Sequence, residues 1–222
     1  MKFDLENIIL VDKPKGITSF QVIRIMREKL GIKKIGHAGT LDPLATGLMI
    51  LGIDKGTKKL EQFLKLDKTY VATVLIGKKT STGDLYSNSE IIEEKELNNN
   101  DFDFIKNNIQ KTLSELVGKI NLKVPVYSAI KINGKKLCNR AFKGQKVEAP
   151  IREMTIYYIK LLNQYSDNNN YILEIEVKVS SGTYIRSIAE EIGNRLNLPA
   201  TIKELRRISI DEISVNDALI IS

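Results

Sequence analysis

Residues 36–47 read GHAGTLDPLATG and hold the single histidine of the chain, His37, three of its 14 glycines, and the dipeptide Asp42-Pro43. Glycine lets a backbone adopt positive φ or approach another group closely, and proline biases the residue before it towards an extended conformation. We therefore interpret this stretch as a shaped loop that holds one carboxylate, Asp42, in place. An ordinary connection between a helix and a strand, with Asp42 in a local turn hydrogen bond, is the alternative that composition leaves open.

The composition is that of a soluble globular protein. The 222 residues have room for one large domain or two small ones, and 42% of them are hydrophobic. The longest clean apolar run, 48–51, is far too short to cross a bilayer, and the N-terminus lacks the features of a secretory signal. We expect a cytoplasmic protein.

The chain has one cysteine, Cys138, and one histidine, which exclude an internal disulfide and the repeated His/Cys clusters of zinc or iron sites. Only a metal held by oxygen ligands would remain possible, and nothing in the sequence demands one. We expect neither a metal nor a cofactor.

Positive charge is in excess, with a formal net charge of +7 and a pI near 9.3. Such an excess attracts phosphates, although each single run of charge is more often a solvated face. One group of basic residues surrounds the unusual loop and comprises Lys13, Arg24, Arg27, Lys29, Lys33, Lys34, Lys55, Lys58 and Lys59. A second group comprises Lys131, Lys135, Lys136, Arg140, Lys143 and Lys146. These two groups are the candidates for contact with RNA or DNA.

Periodicity predicts strands and helices in mixed order. Strands are predicted at 8–11, 48–53, 69–76, 154–162, 171–179 and 205–210, and residues 78–89 are predicted to form polar turns. Helices are predicted from Thr18 or Ser19 to Gly31, over 56–66, from about 102 to Gly118, and after Gly182-Thr183. The first helix should bury Val22, Ile25, Met26 and Leu30, and the second Leu60, Phe63 and Leu64. Asn133-Gly134 predicts a hairpin. Because no regular βαβ repeat is present, the fold class predicted is α+β.

The stretch GHAGTLDPLATG resembles the catalytic motif of the bacterial tRNA pseudouridine-55 synthase family. Further stretches similar to that family follow its order: VDKPKGITS from Val11, KTY from Lys68, PVYSAIK from Pro125, GTYIRSIAEEIG from Gly182 and LRR from Leu205. Together they span nearly all of the chain. The resemblance implies a pseudouridine synthase fold, with a mixed, mainly antiparallel sheet flanked by helices and loops.

The resemblance also implies a reaction. The family isomerises the uridine at position 55 in the T loop of tRNA, by flipping the base, cutting the bond from ribose C1′ to N1 and rebuilding it from C1′ to C5. It uses no cofactor and no metal. The matching aspartate is Asp42, whose carboxylate suits an electron-poor sugar carbon. Addition to the base, attack on C1′ and removal of a sugar proton remain open as the first step.

Other site residues follow from the same resemblance. Arg186 matches the arginine that pairs with the catalytic aspartate, Tyr70 matches the active-site tyrosine, and His37 matches the residue that fills the gap left by the flipped base. Without the resemblance, these would be a surface cation, a half-buried strand tyrosine and a structural histidine. Three further positions match the substrate pocket: Lys13, Tyr184 and Leu205.

Residues from 123 to about 150 correspond to a family insertion that closes over RNA. The sequence departs from the family pattern there at Val124, Cys138 and Phe142, and elsewhere at Ser81 and near Asp211. These changes spare the residues assigned to the chemistry. We read 1–222 as the catalytic domain. Many relatives continue into a small C-terminal RNA-binding domain, so the chain is either a short form or a fragment, and we expect weaker affinity for tRNA if that domain is missing.

The expected partner is tRNA, through its T arm, with no membrane and no obligate protein partner, and we expect a monomer. Two alternatives stay open: an RNA-binding protein that mainly helps tRNA to fold, and a pseudouridine synthase acting on ribosomal or guide-directed RNA. The joint presence of Asp42, Tyr70 and Arg186 favours the enzyme.

Overall fold

The computed structural model describes residues 4–86, 89–128, 130–132, 134–141 and 147–221. The helices are α1 (Ser19–Leu30), α2 (Leu60–Leu64), α3 (Asn99–Ser114), α4 (Leu137–Ala141) and α5 (Ile185–Leu196), with short 3-10 turns at Asp54–Lys59 and Val215–Asp217. The strands are β1 (Ile8–Lys13), β2 (Ile35–Ala38), β3 (Thr46–Ile53), β4 (Lys68–Ile76), β5 (Lys78–Thr80), β6 (Ile91–Glu94), β7 (Gly118–Lys123), β8 (Lys131–Ile132), β9 (Lys135–Lys136), β10 (Ile151–Asp167), β11 (Asn170–Val179), β12 (Ala200–Ile210), β13 (Ile213–Ser214) and β14 (Leu219–Ile220). The chain divides into two compact units, which are described separately.

Helix α1 begins and ends where local sequence signals predict. The Thr18 side chain accepts a hydrogen bond from the backbone of Gln21, whose side chain accepts one from the backbone of Thr18. Gly31 ends the helix in the left-handed conformation, with φ +65°. The prediction that Leu30 faces the core is wrong. Leu30 is 41% exposed on the last turn, whereas Ile23 is buried.

Helix α2 is shorter than predicted because residues 54–59 form a 3-10 turn ahead of it. A helix of little more than one turn presents a single i, i+3 pair to the core, here Leu60 and Phe63, both buried. Leu64, predicted to face inward, is 45% exposed at the end of the helix, so that prediction is wrong.

The first unit contains the described parts of residues 1–71, 177–182 and 204–222. Strand β3 is at its centre: it pairs antiparallel with β1 and β2 and parallel with β12 through Arg206 and Arg207. Residues 47–52 of β3 are buried, and the core beside them includes Ala38, Phe63 and Ile210. A strand buried on both faces reads as a continuous apolar run, which is why the sequence predicted it.

The second unit contains the described parts of residues 72–176 and 183–203. Strand β10 pairs antiparallel with β7 over residues 151–156 and also pairs with β11, which follows it after a short turn. Helix α3 packs against α5 and β10. Residues 78–89 were predicted as turns, but the first three, Lys78–Thr80, form β5, which pairs with β6. Strand β6 was not predicted because every one of its residues is exposed, so no buried alternation marks it.

The hairpin predicted around Asn133-Gly134 is confirmed in its two strands. Strands β8 and β9 pair antiparallel, with Ile132 opposite Lys135, and Gly134 has φ +78°. Asn133, Phe142, Lys143 and Lys146 lie outside the described residues. Antiparallel pairs predominate among the strand pairings of the described residues, with helices between the strands, so the α+β class is confirmed. None of the described helices is long and apolar enough to cross a membrane.

Gly47 is a position in the first unit where a side chain would meet both backbone strain and a steric clash. Its φ is +104°, and a Cβ there would overlap the backbone carbonyl of Arg207 on β12. Gly16 has a similar φ of +92° with open space around it. We expect Gly16→Ala to cost about 1–3 kcal/mol from backbone strain alone. Gly47→Ala should cost at least about 1 kcal/mol more because it also forces β3 and β12 apart.

Urea unfolding of the two variants and the wild type, followed by circular dichroism, measures this difference. Equal losses of unfolding free energy in the two variants would show that the close approach of Gly47 to Arg207 does not matter for stability.

Candidate active site

Asp42 lies in the connection between β2 and β3, half-buried between two side chains that enter the core. Leu41 is 4% exposed and Leu44 is 3% exposed, so the chain on either side of Asp42 is fixed by packing. A turn closes behind the aspartate, where the backbone N–H of Ala45 donates to the carbonyl of Asp42 over 3.0 Å. The interpretation of this stretch as a shaped loop is confirmed, with Gly39 at φ +85°.

Ser19 holds the residue before Asp42. Its hydroxyl accepts from the backbone N–H of Leu41 at 2.9 Å and donates to the carbonyl of the same residue at 3.0 Å. Ser19 is the first residue of α1 and is itself buried. One hydroxyl therefore satisfies both backbone groups of Leu41, which could not remain buried without partners.

Residues 13–16 hold the residue after Asp42. The carbonyl of Pro43 accepts from the backbone N–H of Gly16 at 2.8 Å and from the Lys13 ammonium at 3.4 Å. Lys13 also donates to the carbonyls of Pro14 and Ile17, at 2.9 and 2.7 Å. The stretch from Lys13 to Ser19 thus forms a cradle for the loop, which gives a physical reason for the VDKPKGITS sequence.

Lys13 is fully buried, and its charge is coupled to that of Asp42. Burial lowers the pKa of Lys13 to about 8, while the negative charge of Asp42 raises this pKa and the positive charge of Arg207 lowers it. The structure therefore brings two of the predicted site residues, Lys13 and Asp42, into electrostatic contact.

Arg207 is a residue that the sequence analysis did not single out, although it belongs to the LRR stretch. It is 1% exposed on β12. Its Nε donates to the carbonyl of Leu48 at 2.7 Å, and its Nη2 donates to the carbonyl of Gly39 at 3.2 Å. The only local signal was the double arginine in an otherwise apolar strand pattern, and its hydrogen-bond partners are 159 and 168 residues away in the sequence.

His37 lies on β2, opposite Leu51 of β3, and is half-buried. Burial lowers the pKa of His37 below its usual 6.5, and the charge of Arg207 lowers it further, while a backbone hydrogen bond at Gly39 acts in the opposite direction. The ring is therefore neutral near pH 7, and an aromatic ring without charge can stack between apolar surfaces such as bases.

Tyr70 and Leu205 are buried, each 9% exposed, on β4 and β12 respectively. Two residues before Tyr70, Lys68 is buried as well, and its ammonium donates to the carbonyl of Leu64, the last residue of α2, and to that of Leu66. Burial lowers the pKa of Lys68 to about 8, and the charge of Arg207 contributes in the same direction. The lysine of the KTY stretch thus has a structural role in ending α2.

Arg186 and Tyr184 lie in the second unit, at the start of α5. Tyr184 is the N-cap residue of the helix. Arg186 is 5% exposed, so the alternative of a surface cation is wrong. Its Nη1 donates to the carbonyl of Thr82 at 2.7 Å, and its Nη2 donates to the carbonyl of Tyr127 at 3.0 Å.

A cavity of about 800 Å³ lies beside Arg186 within the second unit. Its walls come from β5 and the turn after it, from both ends of the predicted insertion, at 123–126 and 147–151, and from Glu190 of α5. Among the residues that the structure describes, no group of three or more His, Cys, Asp or Glu side chains could hold a metal ion.

Comparisons with known proteins identify the family of this chain. Residues 27–185 match the model of the TruB family pseudouridylate synthase, N-terminal domain. The tRNA pseudouridine synthase B of Fusobacterium nucleatum subsp. nucleatum is 44% identical over 211 residues, which cover 95% of this chain and 70% of that protein. The protein of the same name from Endomicrobium trichonymphae is 40% identical over 216 residues, covering 97% and 90%.

This chain belongs to the TruB family of pseudouridylate synthases. A solved structure, titled a crystal structure of a Cbf5-Nop10-Gar1 complex, matches 96% of this chain with a TM-score of 0.68 at 26% identity. The chain spans about half, 52%, of the length of that protein. The family and the fold that the sequence motifs implied are therefore confirmed.

As a TruB family member, the protein belongs to the enzymes that isomerise uridine to pseudouridine. The two units divide the candidate residues: Lys13, His37, Asp42, Tyr70 and Leu205 lie in the first, and Tyr184 and Arg186 in the second. Within the first unit, charge couples Lys13 and His37 to Arg207, and Lys13 to Asp42. The pairing of Asp42 with Arg186 stays a prediction.

The pKa of Lys13 gives this TruB protein a characteristic dependence of stability on pH. The lysine has a pKa of about 8 when folded and about 10.5 when exposed, so between these values the unfolded chain binds more protons. The free energy of unfolding should therefore rise with pH across this window. We expect the wild type to gain about 2 kcal/mol relative to Lys13→Met between pH 8 and pH 10.

Urea unfolding of both proteins at several pH values measures this gain. Lys68 titrates over the same range in both proteins, so its contribution cancels in the difference. A difference that stays constant with pH would mean that the buried Lys13 keeps its usual pKa.

Proposed function

We propose that this protein is a tRNA pseudouridine synthase that isomerises the uridine at position 55, in the T loop of tRNA. The observation that carries the proposal is the fixed position of Asp42, whose neighbours on both sides are anchored by hydrogen bonds and whose negative charge acts on the buried Lys13. The names of the two relatives described above support tRNA as the substrate.

The reaction begins with removal of the target uridine from its stack, because C1′ and C5 cannot be reached inside a structured T loop. His37 fills the space that the base leaves. A neutral, half-buried ring supports this role, since it can insert among bases without carrying a charge of its own. Lys13, Tyr184 and Leu205 complete the pocket that binds the uridine.

The bond from C1′ to N1 then breaks, the uracil turns, and a bond forms from C1′ to C5. The proton on C5 is lost and N1 gains one, so substrate and product have the same atoms and no electrons are transferred. The reaction therefore needs no cofactor and no metal. Asp42 supplies the carboxylate, whether it adds to the base, attacks C1′ or removes a sugar proton. Tyr70 stacks on the uracil, and its hydroxyl takes part in proton transfer.

Arg186 is the partner that we assign to Asp42. The carbonyls of Thr82 and Tyr127 orient its buried guanidinium. An ion pair with Asp42 would keep the carboxylate ionised in a site that excludes water. Arginine suits this role because its planar fork can hold two carbonyls and still present an N–H to a carboxylate.

Basic residues supply the attraction to RNA phosphates. The net charge of +7 favours binding of a polyanion, and the insertion at about 123–150 carries Lys131, Lys135, Lys136 and Arg140 in or next to its hairpin. We propose that this insertion contacts the T arm, that 1–222 functions as the catalytic domain, and that the protein acts in the cytoplasm as a monomer without an obligate protein partner.

Release of tritium from tRNA labelled at C5 of its uracils tests the reaction, because the new bond at C5 must expel the label to water. We expect release with the wild type, its loss with Asp42→Asn, and its loss when the uridine at position 55 is replaced by cytidine. Asp217→Asn is the matched control, since Asp217 is an exposed carboxylate of the same unit.

Absence of release with wild-type protein that binds tRNA tightly would contradict the proposal and favour a protein that helps tRNA to fold. Release that persists after the change to cytidine would show that the reaction takes place at another uridine. Full activity of Asp42→Asn would show that the carboxylate of Asp42 takes no part in the reaction.

Replacement of Arg186 tests the proposed ion pair. We expect Arg186→Leu to abolish turnover while most of the affinity for tRNA remains, because the guanidinium acts on Asp42 and not on the phosphate backbone. The matched control is Arg195→Leu on the same helix, whose guanidinium pairs with Glu191 and Glu115 at the surface. Tritium release and filter binding measure turnover and affinity, and an active Arg186→Leu enzyme would overturn the ion pair.

A further inference from the structure

Arg207 joins the two ends of the connection that carries Asp42. The acceptor of its Nη2, the carbonyl of Gly39, precedes Asp42, and the acceptor of its Nε, the carbonyl of Leu48, follows it. The backbone of Arg207 is also the β12 partner of Gly47, and Gly47 has room for no side chain there. The same residue therefore meets the loop through its backbone and through two nitrogens of its side chain.

Burial of this guanidinium needs a reason beyond stability. Arginine is almost never fully buried without a counter-charge, because removing its charge from water is costly. Within the described part of the chain, Arg207 makes hydrogen bonds to carbonyl oxygens and has no ion pair within salt-bridge distance. A leucine or methionine would fill the same core at lower electrostatic cost, but neither could hold two carbonyls at a fixed separation.

We propose that Arg207 is a positioning residue for the isomerisation, which fixes Asp42 by clamping the backbone on both sides of it. This inference rests on the proposed function, since it assigns to Asp42 the chemistry argued above. Arg207 does not touch the reacting atoms: it acts through the carbonyls of Gly39 and Leu48. The planar guanidinium sets the distance between these carbonyls, and the loop between them is then held by Ser19 and Lys13.

The charge of Arg207 adds a second effect on the same loop. It contributes to lowering the pKa of His37 and of Lys13, so its field reaches both residues that flank the loop in space. A neutral residue of similar size would keep the packing but lose this field. Lysine would keep the charge but lose the fork that holds two carbonyls.

Arg206 provides a matched control on the same strand. Its guanidinium pairs with the carboxylate of Asp12 through two hydrogen bonds, of 3.0 and 2.6 Å. Its side chain also contacts the Thr46 hydroxyl at 3.4 Å, and its backbone pairs with Thr46 on β3. Replacement of Arg206 therefore removes an arginine and an ion pair from β12 while leaving the clamp on Gly39 and Leu48 in place.

The experiment compares wild type, Arg207→Met, Arg207→Lys, Arg206→Met and Arg206→Lys, all in the full chain. Single-turnover tritium release at saturating tRNA, tRNA dissociation constants, thermal midpoints and hydrogen exchange of peptides covering 39–48 are measured for each. We expect the single-turnover rate of Arg207→Met to fall about a hundredfold, because a small misplacement of a reacting group costs that much. Affinity for tRNA should stay close to wild type, and exchange in 39–48 should accelerate.

Arg207→Lys should recover only part of the rate, and both Arg206 variants should keep the wild-type rate and loop exchange. If Arg207→Met does not fold, the single-turnover rate and loop exchange of Arg207→Lys are compared with those of Arg206→Lys instead. A wild-type single-turnover rate in a folded Arg207 variant, or unchanged exchange in 39–48, overturns the inference. Absence of tritium release from the wild type overturns the proposed function instead, and the exchange measurement still reports whether Arg207 clamps the loop.

Discussion

The hydrogen bonds that fix the backbone on either side of Asp42 are the constraint on which the site depends. A loop cannot be buried unless its N–H and carbonyl groups find partners, and most loops find them in water. Here Ser19 satisfies Leu41, while Gly16 and Lys13 satisfy Pro43. These hydrogen bonds fix the loop backbone although it is not part of a strand, and they hold the half-buried Asp42 in a defined position.

Buried cations are the second notable feature of the first unit. Lys13, Lys68 and Arg207 are all buried, and each donates to carbonyl oxygens. The lowered pKa values of the two lysines record the cost of removing their charges from water. Proteins retain such a cost where function requires it, and a site that must hold an ionised carboxylate out of water requires positive charge nearby.

Local sequence signals predicted what local chemistry determines. The Thr18 cap, the Gly31 end of α1, the apolar run of β3 and the special backbone at 36–47 depend on neighbouring residues, and the structure has them. Leu64 was wrongly predicted to be buried because the helical period was extended over 56–66, whereas α2 is little more than one turn. The exposed strand β6 was missed because no buried alternation marks it. The burial of Arg207 depends on partners 159 and 168 residues away, so no local pattern could show it.

Positive charge in this protein therefore falls into two groups with different physical behaviour. Surface lysines such as Lys15 and Lys65, with side chains 55% and 80% exposed, keep their hydration, and salt screens them. Such charges attract RNA without specifying a geometry. Lys13 and Arg207 are buried and fixed by hydrogen bonds, so salt screens the action of their charge on the loop of Asp42 much less. Under the proposed function, attraction of the RNA and positioning of the carboxylate are thus separate tasks of separate residues.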